Sequence, residues 1–216
     1  MSIEVADFNL AKKYRLDTPG KCLTFGDCTY HFSSKEDFME NMNFNSIETI
    51  DVNGNPTYKL DLNDPLPESF NNTYDFILDS GTIYCCFDPC TVFKNIKNTL
   101  KIGGIIMHTG NLTGFFGRGY YSLSPALFIE FYEENGFEIK MIGTKTRDNR
   151  GTWVESNKNG TYLSEANTHY MNFSENNSNF IPVIPNDTMI CCVAEKKKDV
   201  KFVKPVPRHF IKTNGK

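Results

Sequence analysis

Tyr74-Asp75-Phe76-Ile77-Leu78-Asp79-Ser80-Gly81-Thr82 decides the fold, together with Leu100-Lys101-Ile102-Gly103-Gly104-Ile105-Ile106-Met107-His108 further on. The first stretch reads as a buried strand that ends in an acid and a glycine. Between the two, Pro89 to Leu100 repeats apolar residues at Val92, Phe93, Ile96 and Leu100, which is helical spacing. A Gly-Gly turn then leads into a second buried strand, Gly104 to His108. Two apolar strands joined through a helix lie parallel, because a hairpin cannot connect them that way. An open parallel sheet takes its ligand at the carboxyl ends of its strands. Asp79, Ser80, Gly81 and His108 fall at such ends, so function is sought there.

Working outward, residues 1 to 20 read as a polar lead-in closed by the turn Asp17-Thr18-Pro19-Gly20. Lys21 to Phe25 is a first short strand, stopped by Gly26-Asp27. Ser34-Lys35-Glu36-Asp37 has the acids and hydroxyl of a helix N-terminus, leading into Phe38, Met39 and Met42. Ser46 to Asp51 is a second strand and Thr57 to Leu62 a third, making Tyr74 to Asp79 the fourth and Gly104 to His108 the fifth. Ser124-Pro125 starts a helix carrying Leu127, Phe128, Phe131 and Tyr132, which Asn135-Gly136 ends. Phe137 to Thr144 and Thr188 to Glu195 are strands six and seven. Residues 1–195 are therefore expected to form one domain, with a polar, Asn-rich insertion over 147–186. Residues 196–216 read as a basic tail whose Lys196-Lys197-Lys198 is a solvated strand end.

At 216 residues the chain can bury a sizeable core, and 39% hydrophobic with 23% charged residues is ordinary for a globular protein. A net charge of -3 gives no electrostatic reason for a nucleic-acid partner. No apolar run approaches the roughly 20 residues of a membrane span, and the N-terminus lacks the pattern of a signal peptide. Seven cysteines, an odd number, then imply reduced thiols and a cytoplasmic setting. Cys85, Cys86 and Cys90 invite a metal reading, but no second CxxC or His pair stands at zinc-ligand spacing. Buried apolar thiols account for them better, and no metal is expected.

Three strand ends carry what a nucleoside needs. Phe25-Gly26-Asp27 offers a glycine where backbone approaches a ligand. Asp51, followed by Val52, closes strand two, where an acid can accept two hydrogen bonds from a ribose diol. Asp61-Leu62 closes strand three, where a carboxylate can meet an exocyclic amine and a backbone N–H a ring nitrogen. No G-x-G-x-x-G follows strand one, which disfavours a nicotinamide enzyme.

With these residues the chain resembles a class I S-adenosylmethionine-dependent methyltransferase over roughly 21–146 and 187–195. It is similar more narrowly to a methyltransferase-like group often found near glycan-modification genes. Leu23-Thr24-Phe25-Gly26, Asp61-Leu62-Asn63-Asp64-Pro65-Leu66-Pro67, Asp79-Ser80-Gly81-Thr82-Ile83 and Gly117 to Phe128 followed by Glu134-Asn135-Gly136-Phe137 carry that likeness. It implies an α/β fold, an open, mostly parallel, seven-stranded Rossmann-like sheet with helices on both faces. It also implies S-adenosyl-L-methionine as cofactor. Gly26, with Phe25 and Asp27 beside it, would border the methionine part, Asp51 with Val52 the ribose, and Asp61 with Leu62 the adenine. Asp79, Ser80 and Gly81 would lie under the sulfonium.

Methyl transfer to a hydroxyl needs alignment and removal of a proton. A base titrating near neutrality suits that step, which singles out His108 and His31, with His169 and His209 less well placed. Tyr120 and Tyr121 follow the loop Gly114 to Gly119 and, with Arg118 and Trp153, are expected to wall a substrate pocket. Tyr120 is also a candidate for the proton step. The expected activity is O-methylation of a sugar, glycan or other small hydroxylated acceptor. In the resembling group Glu-His-Val commonly follows the fourth strand and a histidine stands at position 118; this chain has Tyr84-Cys85-Cys86 and Arg118. Those departures support a second reading, a catalytically silent relative serving as a binding or assembly module.

Overall fold

The computed structural model describes residues 2–31, 34–145, 154–155, 161–162, 171–172 and 187–206. Seven principal strands share one sheet: β1 (Gly20–Phe25), β2 (Phe44–Asp51), β3 (Tyr58–Lys59), β4 (Tyr74–Ser80), β5 (Leu100–Asn111), β6 (Phe137–Lys145) and β7 (Met189–Lys196). Their spatial order is β3-β2-β1-β4-β5-β7-β6, and a two-residue strand, Val154–Glu155, pairs outside β6. Neighbours from β3 to β5 are parallel, whereas β7 runs antiparallel between β5 and β6. The order reverses between β1 and β4, so a crevice opens at the carboxyl ends of these two strands.

Among the described residues four α-helices cover the sheet: α1 (Val5–Ala11), α2 (Lys35–Met42), α3 (Pro89–Thr99) and α4 (Pro125–Glu134). Side chains alternate along a strand, so β4 sends Ile77 to one face and Phe76 and Leu78 to the other. Ile77 joins Leu23, Val92, Phe93, Ile96 and Phe128 in the core beneath α3 and α4. Phe76 and Leu78 join Cys22, Phe38, Met42 and Met107 beneath α1 and α2. Burial on both faces explains the unbroken apolar run that marks this strand. The two expected helix starts are capped, Ser34 Oγ accepting from Asp37 N and Ser124 Oγ from Ala126 N, and Asp88 Oδ1 caps α3 by accepting from Thr91 N.

Four expectations are corrected. The lead-in holds α1, whose Ala6, Leu10 and Ala11 are buried, and Ser2–Ile3 pairs in parallel with Thr29–Tyr30. A helix of 7 residues is too short to show a repeating pattern. The third strand shrinks to Tyr58–Lys59, because the chain turns at Asp61, which accepts from Asn63 N. Gly103-Gly104 does not precede the fifth strand but bulges within it, since Tyr74 pairs with Leu100 and Phe76 with Ile105.

Lys196 is the fourth correction: it is fully buried. Its ammonium donates to the carbonyls of Lys97 (2.7 Å) and Leu100 (2.8 Å), which close the carboxyl end of α3. A cation there complements the helix dipole. The following segment also folds back on the body, with Asn135 and Val203 exchanging two hydrogen bonds. Among the described residues no helix is long and apolar enough to cross a membrane.

Candidate functional site

The crevice between β1 and β4 is built from turns. Gly26 leaves β1 with φ +92, a conformation glycine adopts without strain, and its N–H bonds the Ile50 carbonyl at the end of β2. Asp51 then receives two backbone donors, Asp27 N at 2.9 Å on Oδ2 and Asn53 N at 3.0 Å on Oδ1. Burial alone would raise its pKa, but the N–H groups of Asn53, Asp27 and Val52 outweigh this and hold the carboxyl below its ordinary value. Asp27 and Val52 are exposed beside it, while Phe25 is fully buried.

The loop after β3 is fixed from α3. The buried amide of Asn95 donates to the carbonyls of Leu62 (3.2 Å) and Asp64 (2.9 Å) and accepts from Leu66 N (3.0 Å). Leu62 is thereby buried and Asp61 exposed. Asp61 Oδ1 accepts the backbone and side-chain N–H groups of Asn63. Cys86 lies within electrostatic reach of both Asp61 and Asp79, so this loop and the end of β4 meet there. Burial pushes that thiol up to about 12, which makes it a packing group instead of a nucleophile.

The floor is a closed network. Asp79 is fully buried; its Oδ1 accepts from Thr82 N (2.7 Å) and Ile83 N (3.2 Å), and its Oδ2 pairs with His108 Nδ1 (2.7 Å). His108 Nε2 meets the Tyr132 hydroxyl from α4. With the carboxyl accepting, Nδ1 is the donor and Nε2 accepts the hydroxyl's hydrogen bond, so both ring nitrogens are used. His108 is 0% exposed, which removes it from reach of an acceptor's proton in this arrangement. Its strand runs on to Asn111, placing it inside the sheet and beneath α4 instead of at the tip. Asp79 likewise faces inward and shapes the turn. Thr82 Oγ1 donates to the Phe25 carbonyl (2.6 Å), tying the two strand ends across the crevice, and Ser80 Oγ donates to the Ser2 carbonyl (2.6 Å).

A rim rises beyond Gly81. Tyr84 packs against three glycines, for a Cβ at Gly81, Gly110 or Gly119 would come within 3.1, 3.2 or 2.4 Å of its ring. The Tyr84 carbonyl accepts from Tyr120 N and Tyr121 N, and Tyr121 Oη donates to the Phe87 carbonyl (2.8 Å). The Phe87 and Tyr120 rings meet edge to face at 5.5 Å. Burial, then Cys85 and Asp79, push the Tyr84 phenol up, and the Arg118 charge pulls against them; Arg118 directly precedes Gly119, which lies against the Tyr84 ring, and its carbonyl accepts from Asn111 Nδ2 (3.3 Å). Arg118, Tyr120 and Tyr121 are all exposed. His31 is also exposed, its backbone N–H bonded to the Ile3 carbonyl. Trp153, His169 and His209 lie outside the described residues. Among the described residues no His, Cys, Asp or Glu cluster could hold a metal ion.

Solved structures share this arrangement of strands and helices. A candidate methyltransferase from Bacillus halodurans superposes with a TM-score of 0.53 over 90% of this chain and 99% of its own, at 10% identity. The 1,6-didemethyltoxoflavin-N1-methyltransferase of Burkholderia thailandensis was solved with 1,6-didemethyltoxoflavin and S-adenosylhomocysteine bound. It matches at 0.52 over 88% and 78% of the two chains, at 11% identity. A candidate S-adenosylmethionine-dependent methyltransferase from Listeria monocytogenes gives 0.52 over 89% and 97%, at 13% identity. The fold is that of the class I methyltransferases. No family model and no curated protein matches the chain.

Within this methyltransferase fold, sequence reasoning missed Thr82, Asn95 and Tyr132 as parts of the site's frame. Thr82 and Asn95 are polar residues whose roles come from distant partners, which spacing does not reveal. Tyr132 stood in an apolar helix face, where a hydroxyl is the one signal that a buried polar partner waits opposite.

Proposed function

We propose that this chain is an S-adenosylmethionine-dependent methyltransferase acting on a small hydroxylated acceptor, sugar and glycan units included. The observation that carries the proposal is the corner formed by Gly26 and Asp51 at the strand-order reversal of a methyltransferase fold. The residues present fit the cofactor. Asp51 is held ionised and half exposed, and beyond the N–H groups of Asn53, Asp27 and Val52 its two oxygens keep acceptor capacity for a ribose hydroxyl. Asp61 Oδ2 accepts no hydrogen bond among the described residues and is exposed, which suits an exocyclic amine. The backbone N–H of Leu62 is the donor for a purine ring nitrogen, and Gly26, at positive φ, lets backbone approach the ligand closely. When bound, the cofactor supplies a methyl carbon on a positively charged sulfur, which departs as a neutral thioether.

The chain's residues have the tasks of holding, orienting and receiving a proton. Asp51, Asp61 and Leu62 orient the nucleoside, with Phe25, Asp27, Val52 and Ser80 shaping the walls. Asp79 and His108 position the turn through Gly81. His31 and Tyr120, both exposed, are the groups left to take the acceptor's proton, and Arg118 and Tyr121 to hold the acceptor. Calorimetry with S-adenosylhomocysteine tests the reading: binding should be detected and should weaken about tenfold in Asp51→Ala. No heat at high micromolar protein would sink it.

A second reading, a catalytically silent relative, draws on two observations. The Tyr84 ring lies against Gly81, and His108 is sealed below. Cofactor binding without methyl transfer to any hydroxylated acceptor would favour it.

A further inference from the structure

We propose that the rim formed by Tyr84, Phe87, Arg118, Tyr120 and Tyr121 selects a flat aromatic acceptor bearing an anionic group. This rests on the methyltransferase reading above and names the acceptor class for the same site. Phe87 is 71% exposed and Tyr120 67%, although both are large apolar side chains. Contiguous apolar surface left open beside a crevice marks a ligand site.

The rim is also built in advance. Two N–H groups, from Tyr120 and Tyr121, converge on the Tyr84 carbonyl, and the Tyr121 hydroxyl is spent on the Phe87 carbonyl. Gly119 has φ +78 and lies so close to Tyr84 that no side chain fits between the two segments. Aromatic walls fixed by backbone hydrogen bonds bind without the entropy cost of ordering them.

The polar inventory decides between ring types. A sugar presents hydroxyls around its whole edge, and each needs a partner once desolvated. Among the described residues Tyr121 Oη is committed, Phe87 has none to offer, and the Tyr84 and Tyr120 hydroxyls with the Arg118 guanidinium remain. That set suits one face-stacked ring with a hydroxyl or two and one negative group. Edge-to-face and offset contacts favour an aromatic ring laid against the exposed side of the Phe87–Tyr120 pair, and a planar fork pairs best with a carboxylate.

Three probes test this: protocatechuate (aromatic, anionic, hydroxylated), catechol (the same without charge) and glucuronate (anionic and hydroxylated but not aromatic). Their binding is followed by ligand-observed NMR on the full chain, with and without S-adenosylhomocysteine. Protocatechuate should bind about tenfold more tightly than glucuronate. Phe87→Ala and Tyr120→Ala should each weaken it about fivefold or more, with circular dichroism unchanged because both side chains face solvent. Arg118→Gln should weaken protocatechuate but leave catechol unaltered, and Ile102→Ala, exposed at the opposite end of the sheet, should change nothing. Glucuronate binding as well as protocatechuate overturns the aromatic assignment, and an indifferent Arg118→Gln overturns the anionic one. Cofactor product bound with protocatechuate ignored defeats this inference and spares the methyltransferase reading. The reverse pattern upholds the rim and defeats methyl transfer. Silence from both ligands defeats the two together.

Discussion

Individual residues set how the floor and rim hold together. His108 spends both nitrogens on buried partners, so replacing it with leucine strands the Asp79 carboxyl and the Tyr132 hydroxyl away from water. Stability should fall by about 3 kcal/mol, read as a lower urea midpoint at unchanged slope. Tyr132→Phe removes one of those bonds and should cost about 1 kcal/mol. Gly119→Ala combines positive φ with a clash against Tyr84 and should lose about 2 kcal/mol and the acceptor site together. Asp51 gives a pH signature. Its folded pKa lies below the unfolded value of roughly 4, so its contribution is present above that pH and fades as pH falls through the folded value. Acid unfolding of Asp51→Asn should therefore lose less stability below about pH 4 than the parent chain does. A slope that stays the same would contradict the depressed carboxyl.

At the scale of elements, Asn95 links α3 to the loop carrying Asp61 and Leu62 through three hydrogen bonds. Asn95→Ala should lower stability by about 2 kcal/mol and weaken S-adenosylhomocysteine binding more than its distance from any ligand suggests. The elements legible in the sequence were those whose signals are local. Ile77 and Ile106 sit in apolar runs buried on both faces; Ser34 and Ser124 cap helices through neighbours three residues away or fewer. Elements decided by distant partners were not legible. Lys196 follows an apolar strand and precedes two lysines, so it looks solvated until α3 delivers the carbonyls of Lys97 and Leu100. His108 stood correctly on β5, yet its burial depends on how far that strand extends and on where α4 lands. The rim was half visible: Tyr120 and Tyr121 announced themselves beside glycines, whereas Phe87 joins them through contacts between the segments that follow β4 and β5.

For the whole molecule, the amino-terminal segment spans the carboxyl edge of the sheet. Ser2 meets Ser80 on β4, and Asp7 on α1 pairs at 3.2 Å with Lys145 at the end of β6. Asp7 is 3% exposed, so Lys145→Met removes a charge partner from a buried carboxyl. A loss of about 3 kcal/mol in thermal or urea unfolding is expected. The placement of β7 has a different consequence. A nascent chain completes β5 and β6 well before the segment that must slot between them leaves the ribosome. Until then β5 offers a naked row of amides and carbonyls to any passing strand. Translation speed through 146–188 and access to holding chaperones thus bear on yield more than the composition of the core does.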